Sequence, residues 1–179
     1  VEETLTLTVL APLTADTPKQ RLERLYGECR DDVYAYLASL LRDRCLAEDL
    51  TAVAFERAFR RRRLFNPRRG SERAWLFAIA RNAALDELRR RSRRTALVSD
   101  LPADAFKSAE ETEGVLRRVT VQAALAGLTP RERELIALKF HAGLSNPDIA
   151  RVLGVSESNA GTLLHRTITK LRKACDEQA

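Results

Sequence analysis

The side chains able to do chemistry along this chain are mostly arginines, and what arginine does best is hold phosphate. Arg60, Arg61, Arg62 and Arg63 are consecutive, Arg68 and Arg69 follow, and Arg89, Arg90, Arg91, Arg93 and Arg94 close a later stretch. Residues 57–94 carry 14 basic and 3 acidic side chains, a net charge of +11. Such a block repels itself unless a polyanion lies nearby, so nucleic acid is the expected partner. A second set comprises Ser158, Asn159, Thr162, His165, Arg166 and Lys170, with short polar groups first and basic ones later. On a helix, positions 159, 162 and 166 form one stripe, with 165 beside it. That order suits a helix whose first half meets base edges while its flanks meet phosphates.

Other chemistry is scarce. Cys29, Cys45 and Cys175 stand at unrelated spacings with only His141 and His165 as companions, so free buried thiols are expected and a metal site is not. There is no nucleophile motif, no phosphate-cradling glycine loop and no carboxylate–histidine constellation. The chain therefore reads as a non-enzyme without a cofactor. No apolar run approaches the roughly 20 residues that span a membrane, and no signal peptide opens the chain, so a cytoplasmic location without a membrane partner is expected.

The elements that must position these residues are helices. Ser145 caps a first short helix with Pro147 in its first turn, Gly154 supplies a turn, and Ser156 caps a second helix. Ile149, Ala150 and Leu153 face Ala160, Leu163, Leu164, Ile168 and Leu171, which makes a helix-turn-helix. Upstream, Thr129-Pro130-Arg131-Glu132 matches a capping box, and its helix runs to a stop at Gly143. Residues 17–44 predict a helix with an inner stripe that includes Leu22, Leu25, Tyr26, Val33, Tyr36, Leu37, Leu40 and Leu41. Ala47 to Arg63 predict another, and Ser71 caps a third that carries Trp75 as a core anchor, together with Leu76, Ile79, Ala83 and Leu88. Asn66-Pro67 and Gly70 mark Leu64 to Gly70 as a loop. Periodicity fades over residues 95–115, where 5 acids oppose 1 base; a helix resumes from Val115 to Ala126. The expected class is all-α: two small helical domains, 17–94 and 116–179, joined by an acidic linker, 95–115. Residues 1–16 alternate Thr with apolar side chains and are expected to be a disordered extension.

At this point the chain resembles a bacterial RNA polymerase sigma factor of the sigma-70 family, in its extracytoplasmic function group. AEDLTAVAFERAFR (Ala47 to Arg60) resembles the helix that docks onto the β′ clamp helices. RAWLFAIARNAALDELRRRSRR (Arg73 to Arg94) resembles the helix that opens and reads the minus-ten element. LTPRERELIALKFHAGLSNPDIARVLGVS resembles the domain that reads the minus-thirty-five element. The resemblance implies polymerase contacts at Asp49, Leu50, Phe55 and Arg57; by periodicity Leu50 also falls on the inward side of its helix, and Phe55 reads equally as core or as an exposed anchor. It implies minus-ten contacts at Arg68, Arg69, Arg81, Asn82, Arg89 and Arg90, with the loop Leu64 to Gly70 as part of a pocket for a flipped base. It implies minus-thirty-five contacts at Asn159, Thr162, His165, Arg166 and Lys170. Implied partners are core RNA polymerase, through the β′ clamp helices and the β subunit, and promoter DNA; an anti-sigma factor stays open as a third. Two departures stand out: Ala52-Val53 replaces the usual Gln-Glu, and Asn159-Ala160-Gly161-Thr162-Leu163 replaces a more basic recognition stretch.

Promoter elements about 17 base pairs apart lie roughly 58 Å from one another, beyond one compact domain. A linker of 21 residues has a stretched reach of roughly 70 Å. The competing reading is a stand-alone helix-turn-helix regulator, which leaves the +11 block without a purpose. A nucleic-acid-processing enzyme lacks any cluster to hold a metal or a nucleophile.

Overall fold

A computed structural model describes residues 17–97, 121 and 123–176. The extension 1–16, the helix start expected over residues 115–120 and most of the acidic linker lie outside the described residues. Within them the chain is all-α, with no strand.

Helix α1 spans Pro18–Leu41. Thr17 caps it in a capping box with Gln20, and Pro18 occupies the first turn. It stops at Arg42, whose φ of 55° is left-handed; among the described residues no other non-glycine residue has a positive φ. Asp43 then starts α2, Arg44–Arg61, by accepting a hydrogen bond from the Leu46 N–H. This cap begins α2 three residues before the expected Ala47, because an Asx cap needs no apolar periodicity to announce it. The arginine run leaves α2 after Arg61 and continues as a 3-10 turn, Arg62–Leu64. A second such turn, Pro67–Arg69, is capped by Asn66. Helix α3, Glu72–Leu97, starts from Ser71, whose hydroxyl accepts from the Ala74 N–H at 3.1 Å. It runs three residues beyond the expected domain end at Arg94.

The second half keeps its predicted landmarks. Helix α4, Pro130–Phe140, has Thr129 and Glu132 in a reciprocal capping box. Helix α5, Asn146–Leu153, is capped by Ser145 and ends at Gly154, whose φ of 69° and ψ of 37° are cheap only for glycine. Helix α6 covers Glu157–Asp176, and Ser156 receives the Asn159 N–H at 3.2 Å.

In the first half Val33, Tyr36, Leu37, Ala47, Ala54, Leu76, Phe77 and Ala80 are buried, with the Tyr36 and Phe77 rings edge to face at 5.5 Å. In the second, Leu135, Leu138, Leu144, Ile149, Ala160 and Leu164 are buried. The two sets form one continuous cluster, because α4 packs on α1 and α5 packs on α3. Several expectations need correcting. Tyr26 and Leu88 are exposed, because each sits at the rim of its apolar stripe. Trp75 packs against the core cluster as expected but is half-buried, leaning on Phe65 at 5.6 Å beside a surface cavity. Of the three cysteines only Cys29 is buried; Cys45 is exposed and Cys175 lies between.

Asp43 does two jobs, capping α2 and pairing with Arg91 of α3 at 2.9 Å. The Leu46 N–H first, and the Arg91 guanidinium second, hold its carboxyl below the ordinary range. A lowered folded-state value means that the stabilisation is complete above the unfolded carboxylate range and is lost as pH falls through the folded value. Asp43→Ala is expected to cost about 1 kcal/mol at neutral pH. Asp43→Asn, which keeps a capping oxygen, should cost less. Thermal unfolding of the three proteins at neutral pH and in acid checks this: the gaps should shrink in acid.

Candidate nucleic-acid interface

Helix α3 carries the first candidate reading surface. Asn82 is exposed one turn before Asp86 and two before Arg89, so the three share a face. Arg89 lies 3.6 Å from Asp86 and Arg90 lies 2.6 Å from Glu87, with 70% and 55% of the two arginine side chains exposed. The Arg89 pair is solvent-facing and of modest strength, so a phosphate can replace it, whereas Glu87 beneath Arg90 is buried, only 8% exposed. Arg68 and Arg69 are exposed on the loop before α3. Beside them a cavity of about 240 Å³ is lined by Phe65, Asn66, Arg69, Trp75 and Ala78. Arg151 and Val152 of α5 also line it, as do Leu64, Gly70, Ser71 and Ala74.

Arg81 behaves differently from its neighbours. Its side chain is only 21% exposed and reaches Glu134 of α4, with Nε donating to Oε1 at 2.7 Å and a second nitrogen 3.5 Å from Oε2. The Tyr36 hydroxyl donates to the same Oε1 at 3.2 Å. Burial first, and the Glu134 charge second, push the Tyr36 hydroxyl well above its usual range. Arg73 bridges the halves nearby by donating to the Ala142 carbonyl and to Asp32, and to Cys29 Sγ at 3.1 Å. Ser71 donates to Asp148 of α5 at 3.0 Å. Sequence reasoning missed Glu134, Tyr36, Arg73 and Asp148 as a group. Glu134 and Tyr36 are 98 positions apart, and no local pattern signals such a pairing.

The second candidate reading surface is α6. Asn159, Thr162, His165 and Arg166 are all exposed on one side, while Ala160, Leu164 and Thr167 are buried on the other. The Thr162 hydroxyl donates back to the Ser158 carbonyl at 3.0 Å. Lys170 is exposed too, but it holds Glu132 at 2.9 Å and so ties α6 to the cap of α4. That lysine, ahead of the Thr129 N–H, lowers the Glu132 carboxyl.

The residues expected to meet polymerase divide. Asp49 is exposed on α2, and Arg57 is half-buried, 3.7 Å from Asp86. Leu50 and Phe55 are buried, at 9% and 7% exposure. Phe55 packs its ring on Tyr26 at 4.8 Å, so neither serves as an exposed anchor: both fall on the α2 face turned to α1 and α3. The exposed apolar side chains here are Tyr26 and Phe59. Phe59 stands four residues after Phe55, a spacing visible in the sequence. A groove between α1 and α2, lined by Tyr26, Arg30, Tyr34, Glu48, Thr51 and Ala52 among others, adjoins Asp49. No second-half residue lines it. Among the described residues no cluster of three or more His, Cys, Asp or Glu could hold a metal ion, and no helix is long and apolar enough to cross a membrane.

Comparison with known proteins matches two stretches of the chain to one family. Residues 25–94 match the family model for sigma-70 region 2, and residues 118–171 match that for sigma-70 region 4. The extracytoplasmic function (ECF) RNA polymerase sigma factor BldN of Streptomyces coelicolor is 32% identical over 160 residues, covering 87% of this chain and 61% of BldN. The ECF sigma factor SigL of Mycobacterium tuberculosis is 30% identical over 158 residues, covering 87% of this chain and 89% of SigL. In fold, the chain is similar to the sigma factor RpoE of Bartonella quintana, solved with the anti-sigma factor NepR. The TM-score is 0.75 at 22% identity, over 87% of this chain and 97% of that one.

Gly161 interrupts the recognition surface of α6 without a packing demand. A Cβ there would meet Asn146 Nδ2 at 3.8 Å, an ordinary contact. Gly161→Ala is therefore expected to raise stability by about 0.5–1 kcal/mol, since glycine is the poorer helix former. An upward shift in the thermal unfolding midpoint checks it.

Proposed function

The chain belongs to the sigma-70 family, as a member of its extracytoplasmic function group, and on that premise we propose how its two halves divide the work of a promoter-specificity subunit. The protein directs bacterial RNA polymerase to promoters. In our reading it performs no catalysis, acts in the cytoplasm, and needs no cofactor. The first half binds core polymerase through the exposed side of α2 around Asp49 and the adjoining α1–α2 groove, with Arg57 at its edge. The β′ clamp helices are the surface it meets, and the β subunit completes the contact. Helix α3 and the preceding loop take the separated minus-ten strand: Asn82 bonds a base edge, and Arg81, Arg89, Arg90, Arg68 and Arg69 hold the backbone. The cavity beside Trp75 receives an extruded base, whose removal from the stack costs a few kcal/mol and needs a site that repays it. The second half places α6 in the minus-thirty-five major groove, which admits one helix, with Asn159, Thr162, His165 and Arg166 toward the bases. Lys170 holds the α4 cap and lies toward the backbone. An anti-sigma factor is a further partner in this reading, since similar folds are solved with such proteins.

The observation that carries this reading is the pairing of two exposed polar helix faces, on α3 and α6, in one chain that also bears the +11 block. Run-off transcription with core polymerase on randomised promoters tests it. Defined start sites are expected with both proteins present, and tight sequence-specific binding by the free chain, indifferent to polymerase, would defeat it.

Two substitutions sharpen the assignment. Asn82→Ala is expected to slow open-complex formation more than closed-complex binding, as read by permanganate footprinting beside filter binding. Equal losses would remove the base-reading role. Arg166→Ala is expected to cost about 1–3 kcal/mol if it bonds a base, with relaxed preference at one position. If it holds phosphate, binding should weaken evenly across sequences and the salt slope should fall by about one.

A further inference from the structure

Where the N-terminal end of α1 meets the C-terminal end of α2, the first half carries an open apolar groove. It has a volume of about 140 Å³ and is lined by Leu22 and Tyr26 of α1, by Phe55 and Phe59 of α2, and by Lys19 and Glu23. Tyr26 is 49% exposed and Phe59 45%, while Lys19 and Glu23 are exposed and pair with one another at 3.7 Å. At roughly 30 Å³ per water, about four or five waters would fill it, and each wants about two to four polar partners. Four apolar side chains do not offer them, so burying this surface under apolar groups is favourable. No residue of the second half lines the groove.

The chain carries an occupant of matching chemistry just upstream. Val9, Leu10 and Leu13 precede Thr17, the cap of α1, and Pro12 lies among them. Proline lacks an N–H and favours an extended backbone, which suits a single segment lying in a groove with no strand to pair with. Along α1 the groove runs from Lys19 to Tyr26, about 10 Å at 1.5 Å per residue. Residues 9–13, extended, span about 13–16 Å at roughly 3.3 Å per residue. Thr14, Ala15 and Asp16 remain to turn the chain back from the helix start. Charge agrees as well. Residues 1–16 hold Glu2, Glu3 and Asp16 and no basic side chain. The α2 end of the groove is the opposite: Arg60, Arg61, Arg62 and Arg63 follow Phe59 directly, and the Arg62 guanidinium lies 4.3 Å from the centre of its ring.

We propose that residues 9–13 of this chain are the occupant of the groove, with Leu13 against Leu22 and Phe59, and Val9 and Leu10 against Tyr26 and Phe55. Asp16 then lies toward the arginines that follow Phe59. The tether to α1 is so short that the effective concentration of the segment is in the millimolar range, and a contact too weak to hold a free peptide keeps this one seated. Tyr26 also lines the neighbouring groove beside Asp49, so the seated segment borders the proposed polymerase surface without depending on that assignment.

The test uses the full-length chain with the photocrosslinker p-benzoyl-phenylalanine substituted for Leu10. After irradiation, a product of monomer mass is expected, joined to a peptide that contains Tyr26 or Phe59, as read by mass spectrometry. In parallel, thermolysin, which cuts before leucine, times cleavage at Leu10 and Leu13 in the native chain. Cleavage tracks the unseated fraction when opening is fast. With that fraction at about 1–10%, Phe59→Asp is expected to speed cleavage by roughly 10–100-fold and to abolish the crosslink. Phe59→Leu, which keeps an apolar wall at the same exposed position, should retain both the crosslink and the protection. Circular dichroism melts confirm that both variants stay folded. Cleavage as fast in the wild type as in Phe59→Asp overturns the proposal. A crosslink elsewhere on the chain overturns it too, and one found only at dimer mass gives the groove to a second copy instead.

Discussion

A carboxylate buried as deeply as Glu134 must find other groups to replace its lost water, and the arrangement of both halves follows from how that is done. Arg81 supplies the charge and Tyr36 a second donor, so one side chain of α4 fixes a side chain of α3 and one of α1 together. The apolar cluster then closes around this point: Tyr36 stacks edgewise on Phe77, and Leu135 and Leu138 flank Glu134 on the buried side of α4. Remove the ion pair in thought and α4 has an apolar face that could slide on α1, because hydrophobic burial is non-directional. With it, register and orientation are set, which is the best-attested use of a buried polar contact.

Local structure was legible in the sequence because its signals are local. Thr129 with Glu132, Ser145 before Pro147, and Gly154 after Leu153 each report on backbone within four residues, and each stands where it was expected. The helix-turn-helix and the exposed face of α6 follow from the same short-range periodicity. The start of α2 was missed because Asp43 caps a turn, Arg44 to Leu46, that carries almost no apolar pattern. Whether Leu50 and Phe55 serve the core or a partner was open for a related reason. An apolar residue on a helix reads alike as core or as interface, and only the position of α1 and α3 decides. The docking of the halves was beyond reach. Glu134 sits in an ordinary amphipathic helix, and nothing in RERELIALKF distinguishes it from the exposed acids.

The basic block illustrates how geometry sorts residues that composition treats alike. Arg89 and Arg90 pair with Asp86 and Glu87 within their own helix, and Arg60 pairs with Glu56 one turn before it. Such pairs relieve the self-repulsion of the block at short range. They are mostly solvent-exposed on the arginine side, and exposed pairs contribute only about 0–1 kcal/mol. At Arg60 and Arg89, whose partners are exposed too, an approaching phosphate can take over the guanidinium at little cost, whereas at Arg90 it would leave the buried Glu87 to Arg91.

Arg81 is not so open to exchange. Exchanging Glu134 for a phosphate leaves a carboxylate to be rehydrated and exposes the apolar surface of α4 and α1, so the exchange cannot occur one contact at a time. Two classes of arginine on one helix thus impose an order. The exposed ones can gather DNA weakly and without conformational change, and their attraction falls with salt because they are screened. The cavity beside Trp75 is likewise walled in part by Arg151 and Val152 of α5, whereas the groove between α1 and α2 is lined by no residue of the second half.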